Sequence, residues 1–284
     1  MTNTLLDLSG KVPGEILEIL GLIAGEAGKL DIPIFVVGAA ARDLILEHEY
    51  GIKPKRATTD VDFAVAVGKW AQYELLKKVL LDTKKLTFNK DTLNFRKVSN
   101  GMLIDIVPFG GVESPPGQIA FEPYKDPKMT TAGFTEAYDA SITVRLSEDL
   151  TIEVVSLAGL ALLKIIAWYD RPNDRERDIQ DLWILLRQYL NAGNRDRLFE
   201  DHLDLIDDEF DDEIAGARVL GRDVAELLTA QTREIVLSTL VENIPGEGIN
   251  RMASVINRHE LKLEDITKHA VKMLRSFKQG ILER

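Results

Sequence analysis

Two aspartates one residue apart lie in an otherwise apolar run, Asp60-Val61-Asp62-Phe63-Ala64-Val65-Ala66-Val67, and this constrains the chain more than any other feature. The run reads as a strand. Successive side chains on a strand point to opposite faces, so Asp60 and Asp62 leave one face while Val61 and Phe63 leave the other. Two carboxylates that close repel each other, and their apolar neighbours imply burial, where unpaired charge is costly. A hard divalent cation with oxygen ligands, Mg²⁺ or Mn²⁺, removes the conflict. A third acid, Asp105, stands alone in the apolar run Met102 to Val107. A strand there, paired beside the first, brings Asp105 into a three-carboxylate cluster suited to two-metal phosphoryl chemistry. The competing reading is a buried Asp105 that caps a loop or pairs with an arginine such as Arg96.

Ahead of the acids stands Val36-Val37-Gly38-Ala39-Ala40-Ala41-Arg42-Asp43. A strand that ends in Gly and small residues, then turns into a helix, presents backbone N–H groups suited to phosphate oxygens. Gly38 and Ala39 are the expected donors. Arg42 either reaches phosphates or pairs with an acid such as Asp60. Thr58 and Thr59 either orient the acids and touch phosphate or form an ordinary loop with side-chain-to-backbone hydrogen bonds.

Helical spacing of Ile16, Leu17, Ile19, Leu20 and Ile23 predicts a helix over 14–30. A short buried strand follows at Ile34–Val37, then helical character over 39–49. Residues 68–81 predict a helix with Trp70, Leu75, Leu76, Val79 and Leu80 as its apolar stripe. Strand signals recur at 86–89, 93–98, 102–107, 141–146 and 151–155, with a long loop from Phe109 to Gly117. After Ser156 nearly everything is helical. The expected class is α+β: a mixed-sheet domain over residues 1–155 and a helical domain over 156–284.

The chain has 284 residues and no cysteine, which excludes disulfides, thiolate zinc sites and cysteine nucleophiles. No apolar run reaches the roughly 20 residues of a membrane-spanning helix, and no secretory leader is visible, so a cytoplasmic protein without membrane contact is expected. The net charge of −11 is unlike that of a basic nucleic-acid-binding module. A nucleic acid partner would need a local basic surface such as Lys53, Lys55 and Arg56. Residues 200–213 hold nine acids and no Lys or Arg, which reads as a solvated acidic loop. The four histidines show no close pair in sequence, so a histidine metal site or a serine–histidine hydrolase has little support.

The strand, the Gly turn, the helix and the Asp-x-Asp strand together resemble the DNA polymerase β nucleotidyltransferase superfamily. The turn Gly38 to Asp43 is similar to the GGxxRD turn of tRNA CCA-adding enzymes and poly(A) polymerases, with Ala39 in place of the second Gly or Ser. Beyond residue 155 the chain resembles the AbiEii/AbiGii toxin branch, on Lys164 in Leu162-Leu163-Lys164-Ile165-Ile166 and on Arg177-Asp178-Ile179-Gln180-Asp181. The resemblance implies that Lys164 contacts nucleotide phosphate, where the bland alternative is a lysine snorkelling to the surface. Asp178 and Asp181, three apart on one helix face, either touch base or ribose or hold Lys164 and Arg177 by ion pairing.

Two functions fit. In the first, Asp60, Asp62 and Asp105 hold metal and move a nucleoside monophosphate from a nucleoside triphosphate to an acceptor hydroxyl, with Asp105 as proton acceptor. The resemblance implies tRNA or protein as acceptor, a small molecule being the alternative, and a cognate antitoxin as partner. In the second, the fold persists as a nucleotide-binding regulatory module with little turnover, a reading that Ala39 invites.

Overall fold

The computed structural model describes residues 5–54, 58, 60–121, 128–207, 209–244, 251–260 and 264–284. They fall into two compact units, Met1–Ser156 and Leu157–Arg284. No helix among them is long and apolar enough to cross a membrane.

In chain order the first unit runs β1 (Leu6–Asp7), α1 (Gly14–Gly28), β2 (Ile34–Val37), α2 (Gly38–Asp43), β3 (Asp60–Ala66), α3 (Trp70–Asp82), β4 (Leu86–Asn89), β5 (Asn94–Lys97), β6 (Leu103–Phe109), β7 (Gln118–Ala120), β8 (Lys128–Thr130), α4 (Phe134–Asp139), β9 (Ile142–Ser147) and β10 (Leu150–Val154). Eight strands form one mixed sheet in the order β1-β9-β10-β2-β3-β6-β5-β4, and β7 pairs with β8 separately. The central pair β3 and β6 is parallel, whereas β2 lies antiparallel to β3 on its other side.

The sheet has two unlike faces. Val36, Val61, Phe63, Ile104, Ile106 and Phe95 fill one face and are buried. Helices α1 and α3 cover it: the Tyr73 hydroxyl on α3 donates to the Ile106 carbonyl at 3.2 Å, and Lys97 on β5 meets Glu18 of α1 at 2.7 Å. The other face carries Asp60, Asp62 and Asp105. At its far end Phe35 and Phe109 pack on α4, with the Phe35 and Tyr138 ring centres 5.4 Å apart and those of Phe35 and Phe109 5.9 Å apart. That aromatic packing closes one end of the face and leaves the acids at the other.

The buried stripe of α3 differs from the expected one. Tyr73, Leu76 and Leu80 are buried, while Leu75 is 47% exposed. Positions 73, 76 and 80 share one helix face, and Leu75 falls on the other. The helical character after α2 also takes an unexpected form, a π-helical stretch at Leu44–Glu49.

The second unit is α5 (Leu157–Asp170), α6 (Glu176–Gln188), α7 (Arg195–Glu200), α8 (Asp212–Leu227), α9 (Ala230–Asn243), α10 (Arg251–His259) and α11 (Glu264–Leu282). Helices α8 and α11 approach backbone to backbone through two glycines. A Cβ on Gly221 would lie 2.1 Å from the Phe277 carbonyl oxygen, and one on Gly280 would lie 2.2 Å from that of Arg218. The acidic run 200–213 is not simply solvated. Asp211 caps α8 by accepting from the Ile214 N–H at 3.0 Å, and Asp204 accepts from Arg222 at 3.0 Å. Glu213 takes Arg187 at 2.9 Å and His269 at 2.7 Å. Asp211 and Glu213 anchor the start of α8, and Asp204 ties the preceding segment to Arg222 on α8 itself.

Candidate active site

In the parallel pair of β3 and β6, Asp62 is the direct partner of Asp105, and Asp60 is the partner of Leu103. Register partners on adjacent strands project to the same face. Asp60, Asp62 and Asp105 therefore share one face, each partly exposed, while the residues between them are buried. On the other side Asp62 is opposite Val37, the last residue of β2, and the chain turns there into α2.

Gly38 makes that turn with φ +68°, in the left-handed region. A Cβ at Gly38 would lie 2.0 Å from Asp62 Oδ2. The Asp62 carboxylate thus occupies the space a side chain would need, and only glycine admits it. Ala39, Ala40 and Ala41 are buried. Their small side chains let α2 lie against β3, so the Ala39 position serves packing as well as presenting its N–H.

Arg42 does not reach outward. It is 1% exposed and binds Asp43, with Nη2 to Oδ1 at 2.6 Å and Nε to Oδ1 at 2.8 Å. Thr58 bridges the same pair: its hydroxyl donates to Asp43 Oδ2 and accepts from Arg42 Nη2 at 3.5 Å. Burial pushes the Asp43 carboxyl above the usual range, against the lowering effect of Thr58 and Arg42. Asp43 is a member of the site that spacing arguments passed over. Its signal was adjacency to Arg42 in a turn where an inward-facing cation needs a counter-ion. Thr59, Lys55 and Arg56 lie outside the described residues.

Tyr73 backs the acids from the opposite face. Burial first, then the negative charges of Glu74 and Asp105, hold its phenol well above the ordinary tyrosine range, so it stays a neutral donor to the β6 backbone.

The donor set can be tested against a cation. Among the described residues no three His, Cys, Asp or Glu side chains converge tightly enough to hold an ion on their own. The in-register pair Asp62 and Asp105, with Asp60 one step along, fits a different demand. Mg²⁺ keeps several waters and is bound through one or two carboxylates plus substrate phosphates. An incomplete all-oxygen seat of this kind suits Mg²⁺ or Mn²⁺ that shares its shell with a nucleotide.

In the helical unit Lys164 of α5 is buried, and its Nζ lies 2.7 Å from Asp178 Oδ1 and 2.7 Å from Asp181 Oδ2 on α6. The i, i+3 spacing puts both carboxylates on the α6 face that meets α5. Arg175 Nη1 lies 3.8 Å from Asp178 Oδ2. Burial by itself lowers the Lys164 pKa, but the two carboxylates prevail and raise it, so the ammonium stays charged. Asp178 and Asp181 thus share Lys164 as an ion-pair partner, and the arginine beside Asp178 is Arg175.

The family model of the AbiEii toxin, a nucleotidyl transferase of type IV toxin–antitoxin systems, matches residues 49–271. The chain belongs to this family and is a nucleotidyltransferase. Among solved structures, an antigenic nucleotidyltransferase-like protein from Paracoccidioides brasiliensis is 16% identical, with 67% of this chain and 90% of that one covered and a TM-score of 0.40. The antibiotic-resistance factor ANT(2'')-Ia is 12% identical over 68% and 99% of the two chains, with a TM-score of 0.37. The Thermotoga maritima CCA-adding enzyme complexed with tRNA is 16% identical over 93% and 67%, with a TM-score of 0.34. No curated protein matches the chain.

Proposed function

We propose that this nucleotidyltransferase is metal-dependent and moves a nucleoside monophosphate from a nucleoside triphosphate to an acceptor hydroxyl. The observation that carries the proposal is the in-register placement of Asp62 and Asp105, with the Asp62 carboxylate seated over Gly38. Asp60, Asp62 and Asp105 are the residues that would hold Mg²⁺ or Mn²⁺. When bound, the ion supplies neutralisation of charge on the phosphates. Backbone N–H groups of Gly38 and Ala39 bind phosphate oxygens. A carboxylate oxygen of Asp105 accepts the proton of the attacking hydroxyl. A bond forms between that hydroxyl oxygen and the α-phosphorus, the bond to the bridging oxygen breaks, and pyrophosphate leaves. Arg42, Asp43 and Thr58 bond to one another and position α2 beside β3.

The triad Lys164, Asp178 and Asp181 is a nucleotide-contact candidate within the helical unit, tested separately by the effect of Lys164→Met on nucleotide affinity. The family's toxin–antitoxin character makes a cognate antitoxin the matching partner. The deciding experiment incubates the protein with each α-labelled nucleoside triphosphate, Mg²⁺, and cellular RNA, protein or small-molecule acceptors. Label transfer with pyrophosphate release is expected, and Asp62→Asn abolishes it. Intact nucleotide binding with no transfer to any acceptor class overturns the proposal.

A further inference from the structure

The outer edge of the sheet is a basic surface in an acidic protein. Residues 69–101 hold eight Lys and Arg and three Asp and Glu, although the chain as a whole carries −11. The segment is α3, β4 and β5 with their turns. Lys69, Lys78, Lys84, Lys85, Lys90 and Arg96 are exposed, and β4 is the terminal strand of the sheet. Lysines on an edge strand often serve only to block strand addition. That explanation does not cover this pattern. Strand β4 itself is Leu-Thr-Phe-Asn, without charge, and the cations stand on its flanking turns, on α3 and on β5.

The surface leads to the acids. Thr87 pairs with Arg96, Arg96 with Leu103, and Leu103 with Asp60. These four residues form one row on one face, from the sheet edge to the first carboxylate. Two strand spacings separate Arg96 from Asp60, roughly 10 Å. The Arg96 side chain is exposed, with its Nη1 donating to the Gly101 carbonyl at 3.1 Å and its remaining donors available along the row. Arg96 in that row, with the exposed Lys84 and Lys85 in the turn that enters β4 at the same end of the strands, complements a sugar–phosphate backbone whose terminal hydroxyl enters that centre.

Resting on the transferase reading above, we propose that the β4–β5 edge, with the turn that enters β4, binds the backbone of a single-stranded RNA acceptor and delivers its 3′ hydroxyl to Asp60, Asp62 and Asp105. Arg96 and Thr87 contact the terminal phosphates, and Lys84 and Lys85 hold the strand upstream. Contact is to phosphate and sugar, so affinity falls steeply with salt and little with base sequence.

The test is the fluorescence anisotropy of a labelled single-stranded RNA across a salt series, without nucleotide, on the full chain carrying Asp62→Asn. That background separates binding from transfer: failure of the transferase reading leaves the binding result standing, and the reverse. The triple variant Lys84→Ala/Lys85→Ala/Arg96→Ala is compared with Lys268→Ala/Lys272→Ala/Arg275→Ala, an equal charge change in the helical unit. The edge variant is expected to weaken binding at least tenfold and to flatten the salt slope by about 0.7 for each phosphate contact removed, while the control stays within twofold. Equal losses in the two variants overturn the proposal, as does no loss in either. An acidic peptide that binds as tightly as RNA, and is lost with the same edge residues, overturns the nucleic acid assignment. DNA of the same sequence that binds as tightly overturns the restriction to RNA.

Discussion

Asp62 of β3 and Asp105 of β6 face each other in direct register across a parallel strand pair, so two carboxylates leave one face of the sheet a single strand spacing apart. The relationship predicts that the two act as a unit. Replacing Asp62 or Asp105 by Asn should lower transfer at least about a hundredfold, the scale seen when one charge-stabilising group is removed. The double variant should be little worse than either single one, because groups that act together are not additive. Mg²⁺ should raise the melting temperature of the unaltered protein and not that of either variant. A double variant with the product of the two single losses would mean that the carboxylates work independently.

Gly38 is the most sharply constrained position of the turn. Gly38→Ala meets two obstacles, a left-handed backbone that costs an L-residue roughly 1–2 kcal/mol and a Cβ 2.0 Å from Asp62 Oδ2. The carboxylate must move for the variant to fold. Transfer should therefore drop by a factor comparable to Asp62→Asn, with only a few degrees lost in thermal melting. A Gly38→Ala protein with unaltered turnover would show that the Asp62 position seen here is not the working one.

Lys164 is a buried cation shared by two buried carboxylates. Lys164→Met leaves Asp178 and Asp181 together without their cation and should cost about 3 to 5 kcal/mol of unfolding free energy. Asp178→Asn keeps the Asp181 pair and should cost clearly less. The pH dependence has a definite sign. The folded pKa of Lys164 is raised above its ordinary value by the two acids. Its contribution is complete below about 10.4, the ordinary lysine value, and is lost as pH climbs past the folded pKa. Denaturant midpoints from pH 9 to 11 should fall more steeply in the unaltered protein than in Lys164→Met.

The acid-bearing strands were legible because β3 and β6 break the rule for buried strands at single positions. Asp60, Asp62 and Asp105 interrupt runs of Val, Ile and Phe, and nothing in local propensity accounts for them. Their register was not legible, because β3 and β6 pair only after α3, β4 and β5 intervene, and long-range register leaves no local trace. The Lys164 pairing was half visible in the i, i+3 spacing of Asp178 and Asp181, which fixes a shared face and not what it meets. The stripe of α3 was right at Leu76 and Leu80 and misplaced at Leu75, because Leu75 and Leu76 are equally apolar and only tertiary packing on the sheet selects the face of Tyr73, Leu76 and Leu80. Arg42 could be assigned outward or inward by sequence alone. Its burial follows from α2 lying flat on β3, which the small side chains of Ala39 to Ala41 permit. The hairpin of β7 and β8 went unseen because its three-residue strands are too short for a period-two pattern.

His202 sets the last expectation. It is 3% exposed, and its Nδ1 accepts from Arg222 Nη1 at 2.9 Å. An arginine can only donate, so the imidazole is neutral with its proton on Nε2. Among the described residues that Nε2 is buried without a hydrogen-bond partner. Burial, then the charges of Arg222 and Arg197, push the His202 pKa below the ordinary histidine value. The unfolded chain takes up a proton near pH 6.5 and the folded one does not. The contribution of His202 is therefore complete above about pH 6.5 and is lost as pH falls toward the lowered folded pKa. Asp204 and Glu283, which also bind Arg222, are both held below their ordinary carboxylate values, so their own losses come at lower pH. Unfolding followed by tryptophan fluorescence in a Trp70→Phe background reports on Trp168 and Trp183 of the helical unit alone. The denaturant midpoint should decline between pH 7 and pH 5 with His202 present, and His202→Gln should flatten that decline while leaving the fall below pH 4 intact. Parallel curves for the two proteins would show that His202 titrates alike in the folded and unfolded chains.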